Sequence, residues 1–279
     1  MRVGMQVVRF FLLTFLLFSC SARQCYVPEI PCEWHTKPAP GMIISSMDGF
    51  LWWKALEDPV LDYLLYQVEN CDSIYADIAK SYFELVASQH TLDILKEQIY
   101  AYQESLQLTE ALLIAGFTNT QDQLHAQELL ITQKAQIPTV ELSIQKSINH
   151  LTTLLGYVPG DLDWLLCQKN CLPNLPCYLP IKSPAEVLDC KCSLEALEEV
   201  ENGIASYNTA LKRHALFAET WGASQKEYRE IYDLYQRGFK SYLDVQTSLQ
   251  AMLNAKNNLL QSKLDLILSY IALYRALEG

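Results

Sequence analysis

One stretch constrains this chain more than any other, because it occurs twice. Gly116-Phe117-Thr118-Asn119-Thr120-Gln121-Asp122 returns as Gly238-Phe239-Lys240-Ser241-Tyr242-Leu243-Asp244, with Gly, Phe and Asp matched at a constant offset of 122 residues. Each copy lies between two long helical patterns. Glycine ends a helix by taking positive φ, and a polar loop carrying Ser or Thr caps the next one. Both copies therefore predict the tip of a helical hairpin. The flanks repeat too: Leu106, Leu112 and Leu113 answer to Tyr228, Leu234 and Tyr235. Two copies at so long a period imply a duplicated unit rather than a solenoid.

The helical pattern is a heptad. Ile78, Leu85, Leu92, Ile99, Leu106 and Leu113 follow at intervals of seven, then Leu130, Ile137, Ile144 and Leu151 beyond the first tip. The second half repeats this with Leu197, Ile204, Leu211 and Ala218, then Val245, Met252, Leu259, Leu266 and Leu273. Such spacing predicts helices that wind around each other. A helix over 73–115 spans about 64 Å at 1.5 Å per residue. Pro138 is expected to bend its helix without ending it, because the heptad continues past it. Earlier in the chain, Asp58 and Pro59 read as the cap and first residue of a short helix. The expected fold is all-α: two long antiparallel coiled-coil hairpins related by internal duplication, with no recognisable β-barrel strands.

The organisation that follows has five parts. Residues 1–20 read as a signal peptide, with Arg2 and Arg9 ahead of an apolar run over 10–18 that is too short to span a bilayer. The run ends Leu17-Phe18-Ser19-Cys20, which resembles a lipobox with Cys20 as the lipidated residue; ordinary cleavage near Ala22 is the alternative. An extended arm covers 21–52. The first helical repeat runs over 53–156 with its tip near 116–122, a Pro- and Cys-rich connector over 157–192, and the second repeat over 193–279 with its tip near 238–244.

Cys25, Cys32, Cys71, Cys167, Cys171, Cys177, Cys190 and Cys192 lie mainly in the irregular segments, which in an exported chain favours disulfides without fixing their connectivity. A zinc cluster of the last five is disfavoured, because their spacings of 4, 6, 13 and 2 lack paired Cys-x-x-Cys knuckles. No cofactor is implied. A formal charge of −11 argues against nucleic acid. His35, His90, His125, His150 and His214 are scattered, with no metalloprotease pair, nucleophile elbow or phosphate loop, so the sequence gives no reason to read an enzyme.

Several runs carry a family resemblance: Trp52-Trp53-Lys54-Ala55-Leu56-Glu57-Asp58-Pro59-Val60-Leu61, Ala79 to Leu85, Glu104 to Thr109 leading into Gly116, Ala135 to Pro138, Leu154-Leu155-Gly156, and Tyr274 to Gly279. In this order they resemble the TolC-like outer membrane efflux proteins, and within them the lipoprotein branch serving resistance-nodulation-division pumps. The resemblance implies half of a TolC-like α-barrel in a homotrimer, forming a periplasmic tunnel that docks a periplasmic adaptor and, through it, an inner membrane pump. It places Gly116, Phe117, Gly238 and Phe239 at the adaptor-binding tips. It also implies a gate, in which Asp122 links to Lys240 and Tyr235 to pin the closed tip while Asp244 lines the constriction. Three Asp244 carboxylates in a ring would raise one another's proton affinity; the alternative is that both aspartates are early-helix acids favoured by the macrodipole.

One departure from the family bears on function. A membrane-spanning strand needs about 9–11 alternating residues, yet both halves run from connector into helix without such strands. Three functions remain open at this point: a reduced efflux channel subunit lipid-anchored at the periplasmic face of the outer membrane, a non-transporting lipoprotein coiled coil with a structural role, and an inactive remnant of a channel.

Overall fold

The computed structural model describes residues 31–278 except 32, 46, 48, 49, 69–71, 169 and 192. The expected signal peptide and Cys20, together with Cys25, Cys32, Cys71 and Cys192, lie outside the described residues. Residues from Cys32 onward make up one unit. Its elements are β1 (Met42–Ile44), a 3-10 turn (Lys54–Leu56), α1 (Pro59–Tyr66), α2 (Asp72–Ile114), α3 (Thr120–Lys134), α4 (Ile137–Leu154), α5 (Asp163–Leu166), β2 (Leu179–Ile181), α6 (Pro184–Lys191), α7 (Leu194–Gln236) and α8 (Tyr242–Glu278).

Two hairpins result, one from α2 with α3 and α4, the other from α7 with α8. They join through α2 and α8, so the helices stand in a row: α3–α4, α2, α8, α7. The helices at the two edges make no substantial contact with each other. The row therefore stays open and does not collapse into a four-helix bundle. Along α7, no residue from Leu211 to Gln236 is buried.

The heptad residues behave differently at the two ends. Ile78, Leu85, Leu151, Ile204, Leu266 and Leu273 are buried, where the arm and connector lie over the helices. Toward the tips Leu106 and Leu113 are half-buried and Ala218 is exposed, with Val245 a buried exception. Apolar burial of this kind is worth roughly 1.5–3 kcal/mol per large side chain, so the end away from the tips, hereafter the base, anchors the fold. Trp52 lies at its centre, stacked on Tyr274 at 6.5 Å. The buried hydroxyls there are satisfied: Tyr270 donates to the Trp52 carbonyl at 2.8 Å and Tyr274 to the Pro180 carbonyl at 3.0 Å.

Two expectations are corrected. First, the helix after the first tip breaks its hydrogen-bond ladder ahead of Pro138, between α3 and α4. Ala135 and Gln136 keep right-handed helical dihedrals, but Gln136 N–H bonds back to Gln133 at 3.1 Å in a tighter turn, because proline has no N–H to continue the series. The expected helical fold without barrel strands holds, with one short strand pair joining the arm and the connector. β1 and β2 are parallel, with Met42 opposite Leu179 and Ile44 opposite Ile181. The second correction concerns the cysteines: Cys167, Cys171, Cys177 and Cys190 are free and exposed, so no disulfide framework joins the described cysteines. No helix among the described residues is long and apolar enough to cross a membrane.

The arm is strapped along the base half of α7. Glu201 accepts the N–H groups of His35 and Thr36 at 2.6 and 3.0 Å, Asn208 donates to the Lys37 carbonyl at 2.9 Å, and Trp34 donates to the Lys182 carbonyl at 3.0 Å. Partial burial pushes the Glu201 carboxyl up, but the Thr36 and His35 donors outweigh it and hold it below the usual range. A depressed carboxylate contributes stability that is full above its unfolded pKa and is lost as pH falls through the lower, folded one. Arm docking should therefore be constant near neutrality and weaken only below about pH 4. At neutral pH, Glu201→Gln should lower hydrogen-exchange protection of the His35 and Thr36 amides by about fivefold; unchanged protection would show that the carboxylate does not hold the arm.

Candidate functional site

The two tips are built alike. Gly116 and Gly238 take φ of +76° and +81°, the left-handed conformation that ends a helix. Gly116 N–H bonds the Leu113 carbonyl at 3.0 Å and Phe117 N–H the Leu112 carbonyl at 2.9 Å; Gly238 to Tyr235 and Phe239 to Leu234, both at 2.9 Å, repeat the pattern. This is the paired closure of a Schellman motif at both sites. Its consequence is to push the next side chain outward: Phe117 is 81% and Phe239 75% exposed. A Cβ at either glycine would meet nothing within 4 Å, so both tips are open surfaces.

The following helices start at equivalent positions with different chemistry. Asn119 caps α3 by accepting the Asp122 N–H at 2.9 Å, and the Asp122 carboxylate accepts the Thr118 hydroxyl at 2.5 Å. At α8 the cap is reciprocal: Ser241 Oγ accepts the Asp244 N–H at 3.2 Å, and Asp244 accepts the Ser241 N–H and hydroxyl at 3.0 and 2.8 Å. The Ser241 donors first, and then Lys240, hold the Asp244 carboxyl below its ordinary range. Within one chain that direction is opposite to the mutual repulsion expected of a trimeric ring.

Of the four residues expected to form a gate, the structure brings together Lys240 and Asp244. Lys240 Nζ lies 3.8 Å from Asp244 Oδ1, and Tyr235 packs edge-on against Tyr242 at 5.8 Å. Asp122 pairs with neither Lys240 nor Tyr235 within the chain; its partners are Thr118 and Asn119. It does line a groove of about 400 Å³ between the hairpins, shared with Tyr102, Ser105, Tyr242 and Gln246. Across this groove Ser105 Oγ donates to Gln246 Oε1 at 2.5 Å, and Gln250 Nε2 donates to the Tyr102 hydroxyl.

Two features escaped the sequence reading. The seam between α2 and α8 is a polar ladder, with Lys256 on Glu97 at 2.7 Å, Gln98 on Asn254 at 3.2 Å and Gln261 on Thr91 at 3.3 Å. A heptad search follows apolar residues and passes over such a seam. The second feature is a tyrosine stripe at the second tip, where Tyr228, Tyr232, Tyr235 and Tyr242 gather; Tyr228 and Tyr232 lie 6.1 Å apart. Burial, then the Glu104 charge, raises the Tyr242 hydroxyl pKa. Spacings of four and three along α7 would have revealed this stripe.

The comparisons agree with this architecture. The family model described as outer membrane efflux protein matches residues 72–157. Over that segment the chain is similar to the outer membrane efflux proteins. The fold extends the likeness beyond it. The outer-membrane channel OprN is 20% identical with a TM-score of 0.67, covering 78% of this chain and 68% of its own. The outer membrane protein VceC of Vibrio cholerae is 15% identical with a TM-score of 0.60, covering 75% and 70%. The CmeC outer membrane channel of Campylobacter jejuni is 14% identical with a TM-score of 0.59, covering 78% and 64%. No curated protein sequence matches significantly. The helical fold is shared with those channels, while β1 and β2 are the only strands among the described residues.

Proposed function

We propose that the chain is a reduced efflux channel subunit: a lipid-anchored, trimeric helical wall at the periplasmic face of the outer membrane. Its hairpin tips dock the adaptor of a tripartite resistance-nodulation-division export system. The observation that carries this reading is the pair of matched tips. Two Schellman closures end at the same end of an open-edged row and present Phe117 and Phe239 to solvent. A coiled coil that only fills space needs no duplicated exposed aromatic.

Capture of a purified periplasmic adaptor by the full chain tests it. The double variant Phe117→Ala, Phe239→Ala should fold normally, since both rings are exposed, and should capture about tenfold less adaptor, as expected for aromatic contact residues. Unchanged capture would sink the docking role.

A second reading, a coiled coil that spaces envelope components without transporting, draws on β1 and β2. Each is three residues long, where a barrel strand takes about 9–11. Planar bilayer recordings decide between the two: conductance by the trimer supports the channel, and a silent chain that still captures adaptor supports the spacer.

A further inference from the structure

At the base, beside the start of α2, the chain forms an open basin of about 610 Å³. Its walls include four aromatic rings, Trp53, Tyr63, Tyr66 and Tyr75, and among the described residues its charged groups are Lys54 and Asp62. The floor is rigid: Trp53 and Tyr75 pack edge-on at 5.0 Å, and Tyr75 donates to the Val68 carbonyl at 3.2 Å. Among the described residues the rim is left open, and Tyr66 is 88% exposed. Asp62 is half-buried on this wall, and its Oδ1 has no hydrogen-bond partner among the described residues. An orphaned acceptor costs about 1–3 kcal/mol, so an early-helix acid gains nothing by turning inward unless a donor meets it there. The tyrosine faces around it attract a cation, and Lys54 supplies a point charge for an anion on the same basin.

We infer that this basin binds the headgroup of a zwitterionic phospholipid, its ammonium on Asp62 among the rings and its phosphate on Lys54. The acyl chains leave over Tyr66 and the neighbouring Leu51. That the basin faces a bilayer rests on the function proposed above; its chemistry does not. The basin and the adaptor-facing tips lie at opposite ends of the row, so failure of one test leaves the other standing.

Monomeric dihexanoyl phosphatidylethanolamine, titrated calorimetrically into the full chain, is the test, with dihexanoyl phosphatidylglycerol and free phosphoethanolamine in parallel. The ethanolamine lipid should bind about tenfold more tightly than the glycerol lipid, the difference a desolvated ammonium among aromatic rings supplies. Asp62→Asn should erase that preference. Tyr66→Ala, at an exposed position that leaves the fold intact, should weaken the ethanolamine lipid about fivefold and carries the test if Asp62→Asn does not fold. Equal binding of the two lipids, or a preference that survives Asp62→Asn, overturns the assignment. Free phosphoethanolamine binding as tightly as the lipid would assign the basin to a soluble zwitterion and overturn the membrane contact.

Discussion

Replacing Asp58 with Ala is expected to lower the unfolding free energy by about 3 kcal/mol, from loss of a helix cap together with a buried hydroxyl left unpaired. Asp58 is 8% exposed, and its carboxylate ties α1 to α2. Oδ1 accepts the Val60 and Leu61 N–H groups at 2.9 and 3.0 Å, and the Tyr82 hydroxyl donates to Oδ2 at 3.0 Å. Alanine strands all three donors, two of them at the start of a helix that is buried along Leu61, Leu64 and Leu65. Burial, then the Asp58 charge, pushes the Tyr82 hydroxyl pKa far up, so tyrosine remains the donor throughout the accessible pH range. Tyr82→Phe removes one donor and its partner bond together and should cost only about 1 kcal/mol. Urea unfolding with linear extrapolation measures both. A loss under about 1 kcal/mol for Asp58→Ala would show that water replaces the carboxylate.

Asp58 also shows what sequence could reveal. Its role as a cap was legible because Asp followed by Pro ahead of an apolar run is a local signal. Its bond to Tyr82 was not, since it spans 24 residues and depends on how α1 lies against α2. The same division holds across the fold. The hairpins were legible from seven-residue spacing and the Gly-Phe repeat, both properties of one segment at a time. The row order was not: α2 meets α8 through Glu97, Gln98, Lys256 and Asn254, polar residues with no period to follow. β1 and β2 escaped for a related reason. At three residues each they are too short to alternate, and Pro180 within β2 argues against a strand unless its missing N–H is not needed.

The tip was legible in outline and misleading in detail. Gly116 and Gly238 announced the turns, and Asp122 and Asp244 stood at matched offsets. Matched offsets did not bring matched partners, because one helix is capped by Asn119 and the other by Ser241. Lys240 sits four residues before Asp244, within reach along one helical turn. Asp122, on the other hairpin, is instead occupied by the adjacent Thr118 hydroxyl. Local geometry won over the longer-range pair within a single chain.

The other large effect is expected at Gly41, where the arm meets the connector. Gly41 has φ of +98°, and an added Cβ would lie 2.4 Å from the Cys177 carbonyl oxygen. Both the conformation and the contact oppose alanine, and the contact is with backbone, which cannot swing aside. The neighbouring bond from Leu179 N–H to the Gly41 carbonyl, 2.9 Å, would be lost with the β1–β2 register. Gly41→Ala should therefore free the arm at a cost of about 3 kcal/mol, raising native-state protease cleavage within 42–45 by about 100-fold. The helices should keep their far-ultraviolet circular dichroism, because the row packs through its own seams. Gly116→Ala separates strain from clash: its φ is also positive, but nothing stands within 4 Å, so it should cost only about 1 kcal/mol. Equal effects at the two glycines would mean that backbone strain alone sets the penalty. Loss of helical signal along with arm release would mean that the arm is not a separable strap but part of what holds the row together.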